Sequence, residues 1–433
     1  MLALFRRPWT WAVLLGIVVI VVVVVLATSG GDDEAESVIG DIHHSPDTPI
    51  DIPAGEPIIV GVSAALTGPT ETLGIDILDA VVVGVERWKA ENGSTILGHA
   101  IEVHAEDDGC FEADITARAA GHLLSGEDGH QLLPGLVGVI GPACSDGAER
   151  AIPIYAEAGV VMISGTATRT DLAPDQPEPK FFFRTAFTNA NEGAEQARYV
   201  IARLDGETVY VIDDGTLFSE DLADAAQTGL EERGRTVTRE SIDVRAFDFS
   251  ALAGLIAGDS PDVVIFEGFN PGAALLYRQL RDAGYSGPFI GSDAAVSSDF
   301  IEPLGPLAEG AVFGGCSLAL PNDQGEIDSR LKEFLADYVE IIGHEPDIAF
   351  PGQLADAVTI LLDALAQVAQ EQPDGSLVIQ PLELRDAVST PELLVGLSGA
   401  IAFDENGDRV GQAEGVGLAV CKVAGGRFVR IEY

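Results

Sequence analysis

The sequence predicts an α/β protein with two doubly wound parallel-sheet lobes, preceded by an N-terminal hydrophobic helix. Three observations predict it. From Pro57 onward, short unbroken apolar runs alternate with amphipathic stretches of helical period. A strand buried on both faces of a parallel sheet reads as such a run. The alternation comes as two series, interrupted around Phe181–Arg184, so two sheets are expected. Ahead of both lies one long apolar run behind Arg6 and Arg7.

In the first series Ile58–Val62, Ile101–Ala105, Leu136–Ile140 and Val160–Ile163 read as strands. Leu73–Asn92, Phe111–Leu124 and Ser145–Ala158 read as the helices between them, the first closed by Asn92-Gly93. In the second series Thr208–Ile212, Asp262–Phe266 and Phe289–Ile290 read as strands, with helices over Glu192–Leu204, Leu217–Arg233 and Gly272–Ala283. The last third breaks the rhythm with long helices over Asp328–Ile342 and Gln353–Gln370. Ala400–Phe403 and Val416–Val423 then suggest a β-hairpin around the turn at residues 404–408. Asp404-x-Asn406-Gly407-Asp408 looks like the start of a calcium loop, but Arg409 to Gln412 supply no ligands, so a plain turn is expected.

The run Trp9–Ala27 holds one polar residue, Thr10. As a helix its 19 residues reach about 28 Å, close to a bilayer core. Its length favours an uncleaved anchor, while Val25-Leu26-Ala27 offers a small-residue cleavage site. Either way residues 1–29 are a signal peptide or membrane anchor, and the bulk of the chain is expected outside the cytoplasm. No cysteine follows the run, so lipidation has no support. Residues 30–56, rich in Asp, Glu, Gly, Ser and Pro, read as an acidic linker, with His43 and His44 solvated inside it.

With 433 residues the chain can bury a large core. At 47% hydrophobic it is not disordered. Its 69 acidic residues against 24 basic ones leave a net charge of −45, a field that repels phosphate backbones and excludes a nucleic-acid partner. Four cysteines, Cys110, Cys144, Cys316 and Cys421, form no CxxC pair. An even, sparse count in an oxidising compartment suggests up to two disulfides. Three connectivities are open, with the sequential neighbours Cys110 and Cys144 the first choice.

Enzyme signatures are absent from the sequence. There is no GxGxxG, no GxxxxGK[ST], no HExxH and no GxSxG, and the seven histidines are scattered. No metal site and no cofactor are expected. Ligands of open α/β sheets bind beyond the carboxyl ends of strands, and three such loops carry polar groups. Gly141-Pro142-Ala143-Cys144-Ser145 opens a helix, whose free N–H groups and dipole suit a carboxylate, unless Ser145 is a simple N-cap. Ser164-Gly165-Thr166-Ala167-Thr168 offers three hydroxyls, or else an ST-turn. Gly291-Ser292-Asp293 brings a carboxylate for a cation. Together they describe an amphoteric small molecule held between two lobes.

Five stretches carry a family resemblance in order and spacing: "IIVGVSAALTGPTETLG", "EDDGCFEADITARAA", "VGVIGPACSDGAERAIPIYAEAGVVMISGTATRTDL", "FFFRTAFTNANEG" and "DFSALAGLIAGDSPDVVIFEGFNPGAALLYRQLRDAGYSGPFIGSD". From about Ile58 to Val423 the chain resembles the Leu/Ile/Val-binding proteins of branched-chain amino-acid ABC transporters, of the type I periplasmic binding fold. The resemblance implies two lobes joined by a three-stranded hinge, crossing near residues 185, 316 and 412. Residues 57–185 with 316–412 would form lobe 1, and 186–315 with 413–433 lobe 2.

It also implies roles. The family's cysteine pair falls on Cys110 and Cys144. Cys316 and Cys421 have no family counterpart, but each lies near a crossover, where a second disulfide would sit at the hinge. Ser145, the backbone of Ala167 and Thr168 match positions that grip the amino acid's head group. Asp293 matches the acid that pairs with the ammonium. Phe218 stands where a Tyr is common, Leu73 at a first-lobe aromatic position, and Phe269 or Asn270 at another. The head-group site is thus kept and the side-chain pocket altered.

The implied function is an extracytoplasmic solute-binding protein, not an enzyme, that captures a small amino acid, branched-chain or related, by hinge closure. It would act as a monomer, tied to the membrane through its N-terminal segment, and deliver ligand to an ABC permease. The alternative is an anchored extracellular sensor working through a partner protein.

Overall fold

The computed structural model describes residues 22–25, 44–125, 133–390, 394–410 and 418–433. The first part of the chain runs β1 (Val22–Val25), β2 (Ile50–Ile52), β3 (Ile58–Ala64), α1 (Glu71–Asn92), β4 (Thr95–Ile96), β5 (His99–Asp107), α2 (Ala113–Ser125), β6 (Leu136–Ile140), α3 (Ser145–Ala158), β7 (Val161–Ser164) and β8 (Phe182–Arg184). Six of these strands form a parallel sheet in the order β1-β5-β3-β6-β7-β8, with β4 antiparallel on β5. Every residue of β3, β6, β7 and β8 is buried, which is why they read as apolar runs, interrupted only near their ends by Ser63, Ser164 and Arg184.

The second part runs α4 (Asn189–Tyr199), a π turn over Val200–Leu204, β9 (Thr208–Asp213), α5 (Leu217–Glu231), β10 (Thr236–Ser241), α6 (Ser250–Asp259), β11 (Val263–Glu267), α7 (Gly272–Asp282), β12 (Phe289–Gly291), α8 (Ser298–Leu304) and β13 (Val312–Cys316). The chain then continues through α9 (Ser329–Ile342), α10 (Pro351–Val368), β14 (Gln370–Glu371), β15 (Leu377–Ile379), α11 (Pro381–Ser389), β16 (Leu394–Gly396) and β17 (Gly399–Ile401), and ends in β18 (Ala419–Val423) and β19 (Phe428–Ile431). The second sheet has the order β10-β9-β11-β12-β13-β18-β19, with β18 antiparallel to both neighbours. Helix α10 returns to the first sheet and lies against α1. There a Cβ on Gly84 would stand 3.2 Å from the Ala355 Cα, so the two helices meet backbone to backbone.

Each sheet has a switch in strand order with a following strand on the far side, between β3 and β6 in the first and between β9 and β11 in the second. These are the switch points at which open α/β sheets leave a crevice beyond their carboxyl ends. The loops at residues 66–70 and 141–145, and at 213–216 and 268–271, therefore line the facing mouths.

The predicted N-terminal helix lies outside the described residues, apart from Val22–Val25, which pair with Val103–Glu106. Several other expectations are corrected. Part of the predicted linker is ordered: Ile50 and Ile52 are buried, and β2 pairs with β15. His44 Nδ1 lies 2.6 Å from the Ala158 carbonyl, so it is bound rather than solvated. The predicted hairpin does not form: β17 pairs with β16, and β18 with β13 and β19. Asp404 instead accepts N–H bonds from Asn406 and Asp408 within its own turn. Strand β10 and helix α6 were not predicted. The first is a largely exposed edge strand, and the second a Gly/Ala-rich stretch with few buried residues, so neither carries an apolar period.

Candidate ligand-binding site

The parallel strands of the first lobe end in loops tied together by buried carboxylates. Asp108 accepts hydrogen bonds from the Ser63 hydroxyl (3.1 Å) and from the N–H groups of Cys110 (2.9 Å) and Ala143 (3.2 Å). Full burial raises it to about 6 against the lowering effect of those donors. Disulfide Cys110–Cys144, Cα atoms 5.2 Å apart, locks the same two loops. The N-cap of α3 is Cys144, and Ser145 is its first helical residue. Ser145 Oγ accepts from Arg169 N at 3.1 Å.

Ser164 Oγ accepts from the N–H groups of Thr166 (3.3 Å) and Ala167 (2.9 Å), an ST-turn at the end of β7. The loop after it is held by Arg184, which is fully buried. Its guanidinium donates to the carbonyls of Arg169 (2.5 Å) and Thr170 (3.1 Å), and Nε lies 2.5 Å from Asp408 Oδ1.

In the second lobe Asp293 opens a single 3-10 turn after β12. Burial raises its carboxyl to about 7. Two more fully buried carboxyls adjoin it. Glu192 Oε1 accepts from Asp293 N at 3.1 Å, and Gln196 Nε2 bridges Glu192 (3.1 Å) and Glu267 (3.2 Å). Desolvation first, then the neighbouring carboxylates, raise Glu192. Desolvation also raises Glu267. Gly315 makes room for this cluster: its φ is +59°, and a Cβ there would lie 2.3 Å from the Asp293 Cβ.

The two lobes are closed on each other. Asp146 Oδ1 accepts from Leu217 N (3.1 Å), so a first-lobe carboxylate caps second-lobe helix α5. Asp221 accepts from both the N–H (2.8 Å) and the hydroxyl (2.9 Å) of Thr170. Phe111 stacks edge-on against Phe269, which does the same to Phe218. Between the lobes remains a cavity of about 40 Å³.

Six of the eight residues singled out in the sequence line this cavity: Leu73, Ser145, Phe218, Phe269, Asn270 and Asp293. Ala167 and Thr168 do not; Thr166 does. The Ala167 N–H is taken by Ser164. Thr168 is buried, and its carbonyl accepts from Asn189 N at 2.7 Å. Phe350, Val296 and Ile348 add apolar wall that the sequence did not single out. One wall thus offers the N-terminus of α3 and the other a buried carboxylate, a pair complementary to a zwitterion.

Residues 57–420 match the family model described as periplasmic binding protein. The chain belongs to the periplasmic binding protein family. The Leu/Ile/Val-binding protein BraC3 of Rhizobium johnstonii is 26% identical over 378 residues, covering 87% of this chain and 94% of that one. Among solved structures, the leucine-binding protein LivK of Thermotoga maritima shares the fold at TM-score 0.73 and 24% identity, over 87% of this chain and 98% of that one. The substrate-binding protein LivJ of Streptococcus pneumoniae, in complex with isoleucine, does so at TM-score 0.72 and 21% identity, over 87% and 100%. The chain is therefore a periplasmic binding protein of the branched-chain amino-acid transporter type, and its relatives are solute-binding proteins rather than enzymes. Family membership places it outside the cytoplasm. Among the described residues no helix is long and apolar enough to cross a membrane.

The second disulfide, Cys316–Cys421, joins β13 to β18 with Cα atoms 5.9 Å apart. Four residues that shape the site escaped the sequence reading: Asp108, Asp146, Arg184 and Glu192. Arg184 alone left a signal, a single cation ending the apolar run Phe181–Phe183.

Proposed function

We propose that this protein captures a small α-amino acid between its lobes by hinge closure and hands it to an ABC permease. The reading rests on one observation: Ser145 at a helix N-terminus and buried Asp293 line the same cavity between the lobes. The carboxylate of the ligand would take the first wall and its ammonium the second. Phe218, Leu73 and Phe269 would surround the side chain, as the branched-chain specificity of the named relatives suggests. In this reading residues 57–185 with 316–412 move against 186–315 with 413–433, the protein acts as a monomer, and residues 1–29 tether or export it.

The test is a thermal-shift and calorimetric screen of the full chain against the amino acids, small amides and urea. A ligand at 100 times its Kd should stabilise by about 2.7 kcal/mol. Stabilisation by an amino acid, lost in Asp293→Ala, is the expected result. Response to amides alone would rewrite the roles of Ser145 and Asp293. No response from any of them would put the anchored-sensor reading ahead.

A further inference from the structure

Asp347 reaches from the first lobe to the second. It lies in the segment between α9 and α10. Its Oδ1 accepts from the Ser298 N–H at 2.8 Å, and its Oδ2 accepts from the Ser298 hydroxyl. Ser298 opens α8, which connects β12 to β13 of the second sheet. The residue before it supplies no cap: Ser297 makes no side-chain capping bond, and its hydroxyl accepts from Asn270 Nδ2 at 3.1 Å. The first N–H groups of a helix have no partner within it, and here a carboxylate of the other lobe meets one of them. The backbone of Asp347 is fixed inside its own lobe. Its N–H donates to Oδ2 of buried Asp76 on α1, and Asp76 Oδ1 accepts from the Tyr338 hydroxyl of α9 at 3.4 Å. Only the contact with Ser298 crosses the cleft.

Both ends of this contact run on into the cavity wall. Ile348, Ala349 and Phe350 follow Asp347 and line the cavity from the first lobe. Asp293, Ala294, Val296 and Ser297 precede Ser298 and line it from the second. We propose that Asp347 is a positioning residue for capture: its carboxylate latches Ser298 when the lobes close, and so holds the segment carrying Asp293 against the 348–350 segment around the bound amino acid. This rests on the hinge-closure reading above and deepens it. A carboxylate accepting two hydrogen bonds makes a charge-assisted contact, stronger than a neutral one. The latch forms only after the ligand has entered, so it slows escape rather than entry.

The experiment measures kon and koff by stopped flow on the full chain purified in mild detergent, with whichever of L-leucine, L-isoleucine, L-valine and L-alanine binds the parent most tightly. Asp347→Ala is expected to raise koff roughly tenfold and leave kon within about twofold. Asp347→Asn, whose amide oxygen still accepts from the Ser298 N–H, should return koff to within about threefold of the parent. Adding Ser298→Ala to Asp347→Ala should raise koff no further, since both act through one contact. Asp347→Ala should also lower the melting temperature of the amino-acid-bound protein and not that of the free protein, a split that a merely structural role would not give. An unchanged koff, or an equal fall in both melting temperatures, would overturn the latch and leave the amino-acid reading intact. Should Asp347→Ala not fold, Ser298→Ala alone decides, with an expected rise in koff of about threefold. If none of the four binds the folded parent, the amino-acid reading falls by itself, and the closed form is then the ligand-free form. Hydrogen exchange of the Ser298 amide settles the latch in that case: faster exchange in Asp347→Ala supports it, and equal exchange overturns it.

Discussion

At the scale of single residues, the site is governed by what burial does to carboxyl groups. Asp293 is raised to about 7 because it is taken out of water. To hold an ammonium it must be ionised. At pH 8 the free protein already carries that charge. At pH 5.5 it is protonated, and binding must expel the proton, so affinity falls by up to about tenfold for each pH unit below 7. Calorimetry at pH 5.5 and 8, in buffers of differing ionisation enthalpy, should show this loss and the released proton. An identical Kd at both pH values would remove Asp293 from the ammonium's side. Replacing Asp293 by Asn should weaken binding of an amino acid by roughly a hundredfold or more, because the buried ammonium loses its counter-charge. A Kd within a few-fold of the parent would show that the ammonium lies elsewhere.

At the scale of elements, closure depends on helix termini as much as on side chains. Helix α5 donates a cross-cleft hydrogen bond from Leu217 N–H to Asp146, at the start of α3 in the other lobe. A capping carboxylate contributes about 1 kcal/mol, and here it does so only when the lobes are shut. Asp146→Ala should therefore raise the ligand off-rate about fivefold and enlarge the solution radius seen by X-ray scattering. An unchanged off-rate would mean that closure is held by the Thr170–Asp221 hydrogen bonds and the aromatic contacts instead. The Cys316–Cys421 bridge acts at the β13–β18 end of the second sheet, where it closes a loop of 105 residues. In the chain-entropy model that loop is worth about 4–5 kcal/mol, and the Cys316→Ser/Cys421→Ser double variant should lose stability to urea on that scale. A loss below about 1 kcal/mol would mean that the antiparallel pairing of β13 and β18 alone sets the stability of that end.

The same division explains what could be read in advance. Strands β3, β6, β7 and β11 were legible because each is buried on both faces, and α3 because apolar residues recur at helical spacing. Strand β10 was not, since it sits at an edge with mostly exposed side chains. The site loops were legible as polar punctuation at strand ends. Asp146 and Arg184 were not, because their partners lie across the cleft or in the returning chain at Asp408, and no local period encodes such a contact.

At the scale of the whole molecule, two sources of negative charge oppose folding as pH rises, and they can be separated. One is the net charge of −45, spread over the surface and screened by salt. The other is buried. Asp76 and Asp108 are raised to about 6, chiefly by desolvation, and Glu192, Glu267 and Asp293 are raised further. A carboxyl whose folded pKa exceeds its unfolded value, near 4, adds full stability below that value and loses it as pH rises through the folded pKa. Exposed Asp248, Asp262, Asp328 and Asp374 are lowered by hydrogen bonds at turns and caps. Their contribution is present above pH 4 and lost only as pH falls below it, so they are silent between 5 and 8. The ligand-free protein should therefore melt at a higher temperature at pH 5 than at pH 8. In 1 M NaCl, where the screening length is about 3 Å, the surface part of that difference should disappear and the buried part persist. Saturating amino acid should then shrink what remains, because its ammonium supplies the counter-charge that Asp293 lacks when the cleft is empty. A pH difference abolished by salt alone would mean that the carboxyls beneath the cleft are neutralised by something other than the ligand.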